Sequence, residues 1–206
     1  MDMSTESPKR SGASVRPVLL SASSGIFWGG AAAVLALDQI SKAWALTTLA
    51  PGPLAGAPRP SPSISIVPGC LRLEYAENTG AAFSLFQDHP GLLTATACLL
   101  AVAVLIWNAF LPPHERLSRL SLGLIFGGAV GNLVDRFRFG YVVDFIVAYW
   151  RNYAWPTFNV ADSAICTGIG LFFLTSYLAA RKASKAKREQ SLAKARAGKQ
   201  GARQQG

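Results

Sequence analysis

Four stretches without a charged side chain dominate this sequence: Val18–Leu37 (20 residues), Gly91–Leu111 (21), Leu120–Val134 (15) and Ser163–Ala180 (18). A helix needs roughly 20 apolar residues, and no fewer than about 17, to cross a hydrocarbon core. Three stretches meet that length directly. The third meets it if Arg119 snorkels at its inner end, stem in the apolar layer and guanidinium in water. Only 15% of the 206 residues are charged and 50% are hydrophobic, whereas a soluble domain is about a quarter charged. A disordered chain lacks apolar residues and is excluded. The fold expected is an all-α membrane protein, a four-transmembrane-helix bundle with helices at about 18–46, 91–111, 117–135 and 159–180. Ala43-Trp44-Ala45 imitates a signal-peptide cleavage site. The apolar run before it is too long, and Asp38 and Lys42 intervene, so helix 1 is read as retained.

Charge placement gives the orientation. The isoelectric point of 9.9 suggests a nucleic-acid binder. However, residues 181–206 hold nine basic residues and one acidic, while residues 1–180 hold eleven and ten. The basicity belongs to a tail, and no nucleic-acid partner is expected. The tail 181–206 has helical composition but no apolar stripe. It is read as a disordered, solvated appendage drawn to anionic lipids. The N-terminal tail 1–17, the loop after Pro112 and the C-terminal tail together carry fourteen basic residues, against five in residues 48–90 and 136–158. Basic loops stay in the cytoplasm, so both termini are expected there and the two larger connections outside.

The outer connections have structure of their own. Thr48–Cys70 contains six prolines and reads as irregular loop. From Ile64 onward a period of two appears, in Ile64 and Ile66 and then in Leu71, Leu73 and Tyr75 alternating with Arg72 and Glu74, a strand or hairpin signature. A small extracytoplasmic β-sheet is therefore expected within about residues 63–86. Phe145–Trp150, with Tyr153 and Trp155, reads as an aromatic belt in the connection 136–158. Three scattered cysteines (Cys70, Cys98, Cys166) and two histidines (His89, His114) imply neither a disulfide framework nor a zinc or histidine-dependent site.

With this topology the embedded polar residues gather at one side of the membrane. They are Asp38, Gln39 and Lys42 at the end of helix 1, Asn78 after the strand, Asn132, Asp135 and Arg136 at the end of helix 3, then Asp144, Asn159 and Asp162. Ionisable groups in a membrane are costly and mark function or pairing. Each also has a plainer use. Asp38 and Lys42 stand i, i+4 and can neutralise each other. Asn159 and Asp162 fit a helix cap. Asp135 and Arg136 can form a buried pair. Asp144, alone in Val142-Val143-Asp144-Phe145, has no such explanation. Gly123, Gly127 and Gly131 form a smooth stripe, read as packing that draws helices 3 and 4 together.

Five blocks, in order, resemble the signature blocks of the lipoprotein signal peptidase (signal peptidase II) family: Asp38-Gln39-Ile40-Ser41-Lys42, Asn78-Thr79-Gly80-Ala81-Ala82-Phe83-Ser84, Gly127 through Arg136, Val142 through Phe145, and Phe158 through Ser163. The match runs from about residue 25 to 180, leaving the proline-rich insert near Pro51–Pro62 and the basic tail outside it. The resemblance implies a bacterial inner-membrane aspartic protease that removes the signal peptide from diacylglyceryl-modified prolipoproteins. Two-carboxylate chemistry requires no metal or cofactor, and a dyad enclosed within one bundle needs no partner chain, so a monomer is expected. The resemblance implies Asp144 and Asp162 as the catalytic dyad. Asp38, Lys42, Asn78, Gly80, Asn132, Asp135, Arg136, Asn159 and Ala161 would order the site or contact substrate. Asp135 is the rival for the first catalytic position. It ranks as supporting because Arg136 can hold it ionised, whereas a dyad needs a carboxyl able to carry a proton. Two other readings compete. A Ser/Lys protease would use Ser41 or Ser84 with Lys42 as base. A proton-coupled transporter would spread polar residues through the membrane depth, but here the inner halves are almost entirely apolar, with Asn108 the main exception.

Overall fold

The computed structural model of the 206-residue chain describes residues 24–51, 53–54, 57–58, 62–80 and 90–204. The N-terminal tail, the first residues expected for helix 1, Ser84 and residues 81–86 of the expected β-region lie outside the described residues. Among the described residues there are four helices: α1 (Ser24–Thr48), α2 (Pro90–Phe110), α3 (Arg116–Phe139) and α4 (Val160–Gln204). Between α1 and α2 run β1 (Pro53–Leu54), β2 (Ala57–Pro58), β3 (Ser63–Val67) and β4 (Leu71–Asn78). Between α3 and α4 run β5 (Val142–Trp150) and β6 (Tyr153–Ala154).

Three helices, α2, α3 and the first part of α4, are long and apolar enough to cross a membrane. The described part of α1, interrupted by Asp38, Gln39 and Lys42, is not among them. The central helix is α3, packed against α1, α2 and α4. Its glycines decide how closely. A Cβ on Gly123 would stand 2.5 Å from the Phe27 carbonyl oxygen, and one on Gly127 2.6 Å from that of Ala31, both on α1. The Gly123–Gly127–Gly131 stripe therefore faces α1, not α4 as its spacing suggested. The approach to α4 is made by Gly128, whose Cβ would meet the Ala161 carbonyl oxygen at 2.5 Å. Close helix contact through small residues compensates for the missing hydrophobic drive between apolar surfaces in lipid.

Arg119 differs from its expected role. It does not snorkel; it is fully buried. Its guanidinium donates to the carbonyls of Asn108 and Leu111 and to the Asn108 side chain. These carbonyls lie at the C-terminal end of α2, which has no basic residue in its last turn. A cation there satisfies orphan carbonyls and the helix dipole.

The alternating segment forms the hairpin β3–β4, and the sheet continues antiparallel in the order β3-β4-β5-β6. The sequence read β5 as part of an aromatic belt. Trp150 and Trp155 are indeed exposed, but Phe145 is buried with Val143 against Ala45 and Leu49 at the end of α1. Two corrections concern extent. The proline-rich segment holds the short β1–β2 ladder, and the tail expected to be disordered continues α4 as helix through Gln204. Its Ala, Lys, Arg and Gln residues all have high helix propensity.

Candidate active site

The polar cluster sits where the ends of α1 and α3, the start of α4, and strands β4 and β5 meet. Register delivers the first contact. Asn78 of β4 pairs with Val142 of β5, so Asp144, two residues on, shares its face of the sheet. The Asn78 amide donates to Asp144 Oδ2 at 2.8 Å. The other oxygen, Oδ1, accepts from Asn159 Nδ2 at 2.7 Å. Asp144 is 1% exposed. Its carboxyl is pushed up to about 7, chiefly by burial and then by the nearby charge of Asp162, against the hydrogen bonds from Asn78 and Asn159 and the charge of Lys42.

Asp162 stands in the first turn of α4. Its backbone N–H donates to Asn159 Oδ1 at 2.9 Å, and its Oδ2 accepts the Asn159 N–H at 3.2 Å. This reciprocal cap satisfies two orphan donors of the helix start, so the plain reading of Asn159 and Asp162 is correct as geometry. It leaves Oδ1 for Asn132 Nδ2 at 2.8 Å. The Asn159 side chain thus contacts Asp144 through its nitrogen and the backbone of Asp162 through its oxygen. The cap and the carboxylate cluster are one arrangement.

Beneath them lies an ionic node. Lys42 Nζ is 2.9 Å from Asp38 Oδ2 and 2.9 Å from Asp135 Oδ2. It also donates to Asn132 Oδ1 at 2.9 Å. The partner that holds Asp135 is therefore Lys42; among the described residues Arg136 forms no ion pair. Asp38 and Lys42 do neutralise each other, as their spacing suggested, and Asp135 joins them. Gln39, counted among the embedded polar residues but left out of the expected site set, also belongs to the node. Its amide donates to Asp38, to Asp135 and to the Gly131 carbonyl. Its position between Asp38 and Lys42 was the available signal. The Ser/Lys alternative finds no support at Ser41, whose hydroxyl donates to the Asp38 carbonyl of its own helix while Lys42 serves carboxylates.

A cavity of about 500 Å³ opens at the cluster, walled by Asn78, Gly80, Asn132, Arg136, Asp162 and the Trp155–Phe158 segment among others. Asp144 is not part of the wall; Asn78, which is, donates to it. A second hollow of about 250 Å³ between α2, α3 and α4 shares Asn132, Arg136 and Ile165 with the first, and its remaining walls are Leu93, Thr96, Ala97, Leu100 and Ala129. Every site residue expected from the sequence is in or around this cluster. Gly80 donates its N–H to Asn78 Oδ1 at 3.0 Å, and Ala161 donates its N–H to Asp38 Oδ1 at 2.9 Å.

Residues 30–178 match the sequence profile of signal peptidase (SPase) II. The chain belongs to the signal peptidase II family. A lipoprotein signal peptidase of Syntrophomonas wolfei is 44% identical over 149 residues, covering 72% of this chain and 91% of that one. One from Symbiobacterium thermophilum is also 44% identical, over 119 residues, covering 58% of this chain and 78% of that one. A solved bacterial membrane enzyme superposes with a TM-score of 0.65 at 26% identity, over 74% of this chain and 88% of that one. The fold expectation of a mostly helical membrane protein carrying a small antiparallel sheet agrees with that likeness.

Proposed function

We propose that this member of the signal peptidase II family is an aspartic endopeptidase that cleaves diacylglyceryl-modified prolipoproteins before the lipidated cysteine. Asp144 and Asp162 form the dyad. The observation that carries the reading is the Asn159 side chain, which contacts both aspartates, beside an Asp144 carboxyl that burial and Asp162 push up to about 7. Two such carboxyls share one proton at neutral pH. The ionised member takes a proton from water, whose oxygen attacks the scissile carbonyl. The protonated member donates a hydrogen bond to the developing oxyanion. When the C–N bond breaks, the proton taken from water passes to the leaving amine. Asp135 is the weaker candidate, since its carboxylate is taken up by Lys42 and by the Val143 N–H.

Asn78, Gly80, Asn132 and Arg136, which line the cavity, contact the substrate. The hollow walled by Leu93, Ala97, Leu100, Ala129 and Ile165 suits an apolar chain arriving from lipid beside the peptide to be cut. The enzyme is read as a monomer in the bacterial inner membrane. Residues 1–17 form an N-terminal tail, 18–180 the peptidase domain with α1 as a fourth span, and 181–206 a basic tail that meets anionic lipids. Both termini are cytoplasmic, and the site lies near the outer leaflet.

Replacing Asp144 or Asp162 by Asn removes the shared proton with little change of shape. Purified variants should insert in membranes as before yet leave a lipidated prolipoprotein uncut. Cleavage by either variant at the unsubstituted rate would reject the dyad. An unlipidated precursor should be cut far more slowly than the lipidated one; equal rates would reject the substrate class.

A further inference from the structure

The ionic node at Lys42 is tied to both proposed catalytic aspartates. A lysine ammonium has three donors, and all three are engaged here, by Asp38 Oδ2, Asp135 Oδ2 and Asn132 Oδ1 at 2.9 Å each. Every one of those partners also has a contact at the dyad, in addition to the Gln39 amide that both carboxylates accept. Asp38 uses its other oxygen, Oδ1, to accept the N–H of Ala161, the residue just before Asp162. Asp135 Oδ2 accepts the N–H of Val143, the residue just before Asp144, at 3.0 Å. Asn132 donates its amide to Asp162 itself. Strand β5 and helix α4 are thus gripped at equivalent points by carboxylates that a single cation joins.

We propose that Lys42 is a positioning residue that sets the separation of the dyad, by clamping the two carboxylates that hold the backbone immediately ahead of Asp144 and of Asp162. The proposal rests on the reading of Asp144 and Asp162 as the dyad. Asp38, Lys42 and Asp135 are at most 2% exposed, so the clamp is dry, and losing one member strands the other charges. An ordinary i, i+4 pair would need only Asp38. The third and fourth links, to Asp135 on α3 and through it to β5, are what a mere helix-surface pair lacks.

The charge of Lys42 also acts on the dyad. Among the described residues, the charged groups about the node are Asp38 on α1, Asp135 and Arg136 on α3, Asp144 on β5 and Asp162 on α4. Lys42 favours the ionised form of Asp144. A clamp therefore predicts two linked effects, one geometric and one electrostatic.

The test uses the purified full-length enzyme and a diacylglyceryl-modified prolipoprotein, with kcat and KM measured across pH. Lys42→Met should lower kcat about 100-fold, the usual cost of misplacing reacting groups by about 1 Å, with little change in KM. Its alkaline limb should move to higher pH, because Asp144 loses a neighbouring cation. Asp38→Asn keeps an oxygen for the Ala161 N–H but not the charge that Lys42 needs, and should also lose kcat at a held KM. This second variant decides the matter if Lys42→Met does not fold. Unchanged kcat in a folded variant, with loss confined to the melting temperature, would overturn the clamp. Asp144→Asn is run alongside: if it remains active, the dyad itself is wrong and the clamp falls with it.

Discussion

At the scale of single residues, Asp144 owes its high proton affinity to where β5 places it. A carboxyl at 1% exposure beside Asp162 is costly to ionise, and two amide donors only partly offset that cost. Its folded pKa of about 7 lies above the ordinary value of 3.8. The folded state therefore holds more protons between those values. This group's contribution to stability is fully present below pH 3.8 and is lost as pH rises through about 7. Activity should follow the same proton. The proposed dyad works with one proton shared, so cleavage should decline above about pH 7. This group's effect on the melting temperature should instead fall between pH 3.8 and about 7 and level off above it. A kcat profile flat from pH 6 to roughly pH 9 would contradict this. The identity of this residue was legible, since a lone aspartate in Val142–Phe145 has no nearby cation to explain it. The partner of Asp135 was not. Arg136 is adjacent in sequence, but the cation that reaches Asp135 is Lys42, 93 positions away on another helix, and no local pattern encodes that contact.

At the scale of elements, the spacing of small residues identified α3 as a packing helix but could not say which neighbour each face meets. Gly128, not the regular glycine stripe, governs the approach of α4. A methyl group there would meet the Ala161 carbonyl oxygen at 2.5 Å and Ile165 Cγ1 at 2.8 Å. Backbone cannot yield as a flexible side chain can, so α4 must shift at the residue preceding Asp162. Gly128→Ala should cost about 100-fold in kcat and lower the melting temperature. Gly170→Ala on α4 itself, where a Cβ meets nothing within 4 Å, should leave activity intact and hold or slightly raise stability, because alanine is the better helix former. Equal behaviour of the two variants would refute the close-contact explanation. The hairpin β3–β4 was legible from its alternation. Strand β5 was harder because Val142–Phe145 is buried without interruption, and continuous burial erases the period of two.

For the whole molecule, the ends of the bundle differ in chemistry. One end collects Asp38, Lys42, Asn132, Asp135, Asp144 and Asp162 under the sheet. The other contains Arg119, spent on the last turn of α2, and then the long α4 extension, which carries most of the net charge of +9. Short loops rich in Lys and Arg resist translocation, so the end with the tail should face the cytoplasm and the sheet should face outward. The exposed Cys70, in the turn between β3 and β4, reports on this directly. In intact cells making a variant with Cys98→Ser and Cys166→Ser, a membrane-impermeant maleimide should label Cys70. In a cysteine-free background, Ser191→Cys, exposed on the α4 extension, should be labelled only after the membrane is opened. Labelling in the reverse order would invert the molecule. It would also place the dyad on the side where the substrate's lipid anchor is not expected, and so remove the physical reason for coupling this site to the outer leaflet.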